Sequence, residues 1–239
     1  MIPLMLRALW WRMAAVAIAA LLFYALEPGF HEHEEEVTDL AGLLAPTAIA
    51  YSLANLAGLA MVVLLAGFIS ADRRRGYYRI AFSHPTRPLA LYALRWGLSL
   101  VLAMTATALF LVFGQLAAWG ELRVGPLYLV QPLLFALVYG GLTAFFSALL
   151  PRGDAWAAVL AFFATDVWLT LTGEAGLQPL TPLLRQVISF VLPPHLAVSD
   201  VYSGLVAGEV LWPAALYAAG YGLFWLAAAA LLVRTREWP

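Results

Sequence analysis

The chain is 239 residues long, 64% hydrophobic and 11% charged, with a formal net charge of -1. A soluble domain carries roughly a quarter charged residues, so a composition this apolar belongs in a bilayer. All 13 basic residues are arginine, which excludes a phosphate-binding loop built on lysine, and the lack of cysteine excludes disulfides, thiolate metal sites and cysteine nucleophiles.

A helical span needs about 20 mostly apolar residues. Six runs meet that need, and they predict an all-α polytopic membrane protein, a single transmembrane domain over 1–239. The first run, about 11–26, is short and flanked by Trp10 and Trp11. Its arginines, Arg7 and Arg12, give it some likeness to a signal peptide, but "ALEPGF" is a poor cleavage site. The tract "HEHEEE" follows, where His31 and His33 with their acidic neighbours form a weak candidate for a divalent cation. Short acidic tracts are usually solvated loops, so no metal is assigned.

The second run, about 43–70, carries Pro46 near its start and the polar Asn55 inside it. Then comes the basic stretch "ADRRRGYYRIAFSHPTRP", residues 71–88, with five arginines. The third run, about 89–119, contains Arg95 near one end and Gln115 near the other. The fourth is about 126–150, where Gly140, Ala144 and Ala148 recur at the four-residue spacing that lets a neighbouring helix approach. The fifth, about 155–172, holds Asp166, a carboxylate at membrane depth and therefore a candidate functional group. Asn55, Gln115 and Asp166 are the candidate polar groups of a pathway, the first two also read as interhelical hydrogen-bonding groups.

Residues 173–211 are moderately apolar but broken by Pro179, Pro182, Pro193 and Pro194. Helical spacing of Leu183, Leu184, Val187, Ile188 and Val191 after Thr181-Pro182 predicts a helix that dips into one leaflet or caps the bundle. His84 and His195 sit beside prolines with no partner in local sequence and are read as structural. The sixth run is about 212–233, followed by a basic tail.

Arginine asymmetry orients the chain. With both termini in the cytoplasm, Arg7, Arg12, Arg73, Arg74, Arg75, Arg79, Arg87, Arg95, Arg152, Arg234 and Arg236 lie inside, and Arg123 and Arg185 outside. The acids Glu121, Glu174, Asp200 and Glu209 fall on the opposite side.

The first inner loop then reads as a pattern: Asp72, three residues, Gly76, nine residues further Pro85, and Arg95 ten beyond. It resembles the first cytoplasmic loop of permease subunits of type-2, exporter-class ABC transporters. Six spans, cytoplasmic ends and a helical outer loop before the last span agree with that resemblance, whereas Tyr77 and Pro88 depart from the family pattern. The resemblance implies a short cytoplasmic coupling helix that docks on a separate ATP-hydrolysing subunit. The residues it marks are Asp72, Arg73, Arg74, Arg75, Gly76, Tyr77, Tyr78, Arg79, Phe82, Pro85 and Arg87. Tyr77, Tyr78, Ile80, Ala81 and Phe82 give that helix an apolar face, Gly76 turns the chain into it, and Pro85 and Pro88 end it. The plain alternative is a basic cluster that sets topology and touches anionic lipid.

The same resemblance implies cytoplasmic ABC ATPase partners that hold ATP and Mg, and a second permease copy or homologue. It implies no enzyme activity or cofactor in this chain, no nucleic-acid partner, and a prokaryotic inner membrane. An ion- or proton-coupled secondary transporter and a membrane assembly subunit remain alternatives. Intramembrane proteases are disfavoured, because no histidine lies inside a predicted span and no Gly-x-Ser-Gly setting accompanies one.

Overall fold

The computed structural model describes residues 2–26, 40–75, 88–173 and 182–235. Regular structure among them is helical: α1 (Ile2–Leu26), α2 (Leu40–Leu65), a short α3 (Ser70–Arg75) and α4 (Pro88–Trp119). A 3-10 turn (Pro126–Leu129) feeds α5 (Val130–Leu149), followed by α6 (Asp154–Gly173), α7 (Pro182–Val191), α8 (His195–Val206) and α9 (Trp212–Thr235). Five helical segments among the described residues are long and apolar enough to cross a membrane: Ser52–Arg74, Pro88–Ala117, Pro126–Leu149, Asp154–Thr172 and Trp212–Thr235. In α1 the apolar stretch is the shorter Leu9–Leu22. The chain is a helical polytopic integral membrane protein. Helices dominate because hydrocarbon offers no partner to a backbone N–H or C=O.

Local chemistry explains where the helices stop. Gly67 adopts φ +69°, a left-handed value that ends α2 and lets α3 start at Ser70. Leu150 is forced into extended backbone by the following Pro151, which terminates α5.

Helix α5 is the centre of the bundle, packed most extensively against α9 and α2. Gly141 and Gly222 allow the closest approach. A Cβ on Gly141 would overlap the Gly222 carbonyl, and one on Gly222 would press on the Leu137 carbonyl. The row expected to admit a neighbour, Gly140, Ala144 and Ala148, is buried and does so on another face: Gly140 packs against Met61 of α2 and Trp96 of α4. Trp96 Nε1 donates to the Gly140 carbonyl at 3.1 Å. Helix α6 lies at the edge, with only 11% of its span buried, against 72% for α5.

The loops add two elements to the sequence-based expectation. A short helix after α2 lies at Ser70–Arg75, ahead of Gly76. The expected helix at 77–82, with Gly76, Tyr77, Tyr78, Arg79, Phe82, Pro85 and Arg87, lies outside the described residues, as do His31 and His33. The helix expected over 181–192 is present as α7, and a second helix, α8, returns from it.

The α7–α8 pair is a re-entrant hairpin. Tyr221, nine residues into α9, donates its hydroxyl to the Val191 carbonyl at 2.6 Å. At 1.5 Å per residue this places the tip roughly 13 Å below the start of α9. The far end of α8 is back at the rim, where Tyr128 of the 3-10 turn donates to the Leu205 carbonyl at 3.4 Å. Broken backbone survives at such depth only inside protein or beside a cavity. Pro193 and Pro194 are buried accordingly, and His195 N–H closes a turn onto the Pro193 carbonyl at 2.9 Å.

Candidate functional site

Two polar clusters stand out, one at each end of the bundle. At the arginine-rich end, the turn between α2 and α3 is pinned from several sides. Ser147 Oγ on α5 accepts the backbone N–H groups of Ile69 (3.0 Å) and Ser70 (3.1 Å). Asp154, buried at the start of α6, accepts from the Gly67 N–H at 2.8 Å and the Ser70 hydroxyl at 3.1 Å through one oxygen, Oδ2. Its position in the first turn of α6 also places its charge against the positive end of that helix.

Helix α3 is held in turn. Asp72 pairs with Arg95 of α4 at 2.5 Å. The Arg95 guanidinium lies 5.8 Å from the Phe68 ring centre and 6.0 Å from that of Tyr92, so aromatic faces share its charge. Arg73 Nη1 donates to the Ala148 carbonyl at the end of α5 at 2.9 Å. Arg12 of α1 donates to the Leu64 carbonyl at 2.6 Å and so caps the C-terminal end of α2. Arg74 is exposed. Asp72, Arg73 and Arg74 therefore occupy one short helix, two of them facing the bundle and one facing away. Arg75 ends that helix.

The second cluster lies under the α7–α8 hairpin. Tyr139 of α5, at 2% exposure, is 2.6 Å from His195 Nε2, and His195 Nδ1 is 3.0 Å from Asp166 Oδ1 of α6. A neutral imidazole protonated on Nδ1 satisfies both contacts: the Tyr139 hydroxyl donates to Nε2, and Nδ1–H donates to the carboxylate. The ring stacks on Phe135 with centroids 5.1 Å apart and an interplanar angle of 28°, and Phe162 closes the other side at 5.1 Å. Burial in this aromatic box lowers the His195 pKa from its ordinary 6.5, against the opposing pull of the Asp166 charge. The Asp166 side chain is half exposed, at 48%.

Of the candidate polar groups, Asp166 alone joins this chain. Asn55 is half-buried and lines a separate apolar cavity of about 260 Å³ with Gly58, Tyr139 and Phe162. Gln115 is occupied locally. Its amide donates to the Leu111 and Val124 carbonyls at 3.0 and 3.3 Å, and its oxygen accepts from the Arg123 and Val124 N–H groups at 2.8 and 2.6 Å. It clamps the α4–α5 connection. His195, Tyr139, Ser147 and Asp154 were not legible as site residues, because their partners lie 29 to 87 positions away. Among the described residues, no group of three or more His, Cys, Asp and Glu side chains is placed to hold a metal.

Comparison of the chain with protein-family models, with curated proteins and with solved structures finds no match. The fold and the two clusters define a helical membrane protein.

Proposed function

We propose that the chain is the membrane permease subunit of an ATP-driven transporter of the type-2 ABC exporter class. In this reading six helices span the membrane with both termini in the cytoplasm. A second copy or homologue completes the pathway, and separate ATPase subunits, which hold ATP and Mg, press on the loop that begins at α3. The membrane is the cytoplasmic membrane of a prokaryote, and the chain catalyses no reaction itself. The observation that carries the reading is the anchoring of the α2–α3 turn. Ser147, Asp154 and Arg95 tie it to α5, α6 and α4. A push on α3 is thereby delivered to α4, α5 and α6 instead of being absorbed by a loose loop, and rigid-body motion of packed helices follows. The free energy for that motion comes from nucleotide bound elsewhere, as any shift between two conformations requires a ligand that distinguishes them.

A proton-coupled carrier is the second reading, favoured by the Tyr139–His195–Asp166 chain, since ionisable groups at membrane depth commonly serve such carriers. The two separate in one experiment. The affinity-tagged chain is purified from its native membrane in mild detergent. Under the first reading an ATPase subunit accompanies it, and Arg74→Glu, at an exposed position on α3, strips that subunit away without altering the melting temperature. Retention of the ATPase by Arg74→Glu argues against docking through α3. Absence of any ATPase, with uptake driven by a pH gradient alone, replaces the first reading by the second.

A further inference from the structure

We propose that the cavity between α4 and α9 at the arginine-rich end seats one acyl chain of a membrane phospholipid, a role that does not rest on the transporter reading. The cavity is about 390 Å³. Its floor is the buried set Phe68, Ile69, Ala144, Ala229 and Val233. Its mouth lies between Ala93 of α4 and Leu223, Ala227 and Ala230 of α9, all exposed. On α4 the lining runs from Leu89 to Trp96, just past the helix start at Pro88, and on α9 from Leu223 to Val233, just before the end at Thr235. Ten residues of helix rise roughly 15 Å, half of the ~30 Å hydrocarbon core. The cavity is therefore a groove along one leaflet, open sideways between two spans that are each only 28% buried.

The walls fix the class of the occupant. Their side chains carry two polar groups, and both are engaged. Trp96 Nε1 donates to the Gly140 carbonyl at 3.1 Å, and the Tyr92 hydroxyl interacts with the Asp72 carboxylate. A polar group entering the groove would lose water without a replacement partner, so the occupant is hydrocarbon. Size then separates a lipid chain from a protein segment. A helix is about 10–12 Å across, and a single turn of it already fills about 400–600 Å³. Seating one turn covers on the order of 200 Å², far below the ~1,000 Å² that a stable protein interface needs. An apolar cavity of about 150 Å³ takes a benzene ring, so this groove takes roughly 15 carbons, the size of one phospholipid chain. Phe68 and Ile69 belong to the turn that carries α3, and the Arg95 guanidinium lies 5.8 Å from the Phe68 ring centre. A chain in the groove packs against that turn and stiffens it.

The probe is a phosphatidylcholine with a diazirine in one acyl chain, doped into phosphatidylcholine nanodiscs that hold the full chain. After irradiation the labelled residues are mapped by mass spectrometry. Labelling is expected at Ala93, Ala227 and Ala230 severalfold above that at Leu94 and Leu231, which are exposed on the same two helices at similar depth but do not line the groove. Ala227→Phe puts a ring into the groove and should bring Ala93 and Ala230 down to the level of Leu94 and Leu231. Labelling of Leu160, exposed on α6, should not change. Ala93→Phe, from the opposite wall, should act in the same way and keeps the test valid if Ala227→Phe folds poorly. A seated lipid stabilises the folded chain, so delipidation should lower the melting temperature of the wild type more than that of either filled variant. Equal labelling inside and outside the groove, or labelling that neither variant lowers, overturns the proposal. A disulfide-linked pair of copies through Ala227→Cys gives the groove to a second copy and overturns it as well.

Discussion

At the scale of single residues, the cluster under the hairpin turns on which proton sits where. The Tyr139 hydroxyl has one acceptor, His195 Nε2, inside a wall of Phe135 and Phe162. Tyr139→Phe removes the donor and leaves that nitrogen unsatisfied, at a cost of about 1–3 kcal/mol. A lower melting temperature in detergent with unchanged helical content is the expected result. The His195 pKa is depressed by burial, so the unfolded chain binds a proton that the folded chain refuses. Its contribution to stability is therefore complete above about 6.5 and declines as pH falls toward the folded-state pKa. Thermal unfolding followed between about pH 7.5 and 5.5 should show this loss, and His195→Gln should flatten it. A slope unchanged in His195→Gln assigns the pH response to other groups. None of this was legible in the chain. The prolines before His195 pointed to a turn, but Tyr139 and Asp166 lie 56 and 29 positions away, and only the returning hairpin brings them together.

At the scale of elements, the spans were legible and their packing was not. Composition alone locates α4, α5, α6 and α9 to within a few residues, because an apolar run of that length has one stable backbone conformation in lipid. Which face of α5 meets which neighbour depends on shape. The sequence pointed to Gly140, but the backbone-to-backbone contact uses Gly141 against Gly222. Gly141→Ala should destabilise by several kcal/mol, an overpacking against rigid backbone at about the upper end of such effects. Gly220→Ala on the same helix as Gly222 meets nothing and should be neutral or slightly stabilising. Comparable melting temperatures for the two variants would mean that α5 and α9 are not so closely apposed.

The α2–α3 turn makes its own prediction. Asp72→Arg puts a second cation beside Arg95, and Arg95→Asp a second anion beside Asp72, in place of the 2.5 Å ion pair. Each single reversal should lower stability by about 1–3 kcal/mol, and the double reversal should recover much of it. Non-recovery in the swapped variant would show that Arg95 acts through its aromatic neighbours rather than through Asp72. The acid and the arginine were both visible in the sequence as parts of a spaced pattern. Their direct pairing was not, since it depends on how the turn at Gly67 sets α3 beside α4.

At the scale of the whole molecule, polarity is separated by end. Arg12, Arg73, Arg95 and Asp154 tie the helices together at one end, while a half-exposed carboxylate and a re-entrant hairpin mark the other. A lever needs a stiff handle at the driven end and a yielding contact at the working end. The anchored α2–α3 turn fits the first; at the other end α8 is packed into the core through Val198, Val201 and Leu205, and the more exposed α7 arm, with Leu183, Val187 and Phe190 uncovered, fits the second. The account predicts that the two ends move together.

Cysteine is absent from the chain, so a spin label at Arg152→Cys, an exposed position beside the start of α6 and outside the docking helix, reports from one position only. The decisive measurement is the label-to-label distance between two copies in the complex with the ATPase, with and without ATP and Mg. The account predicts a shift of the distance distribution on ATP binding that disappears when Asp72→Arg unpins the helix. A distribution that stays fixed while the ATPase turns over would contradict it.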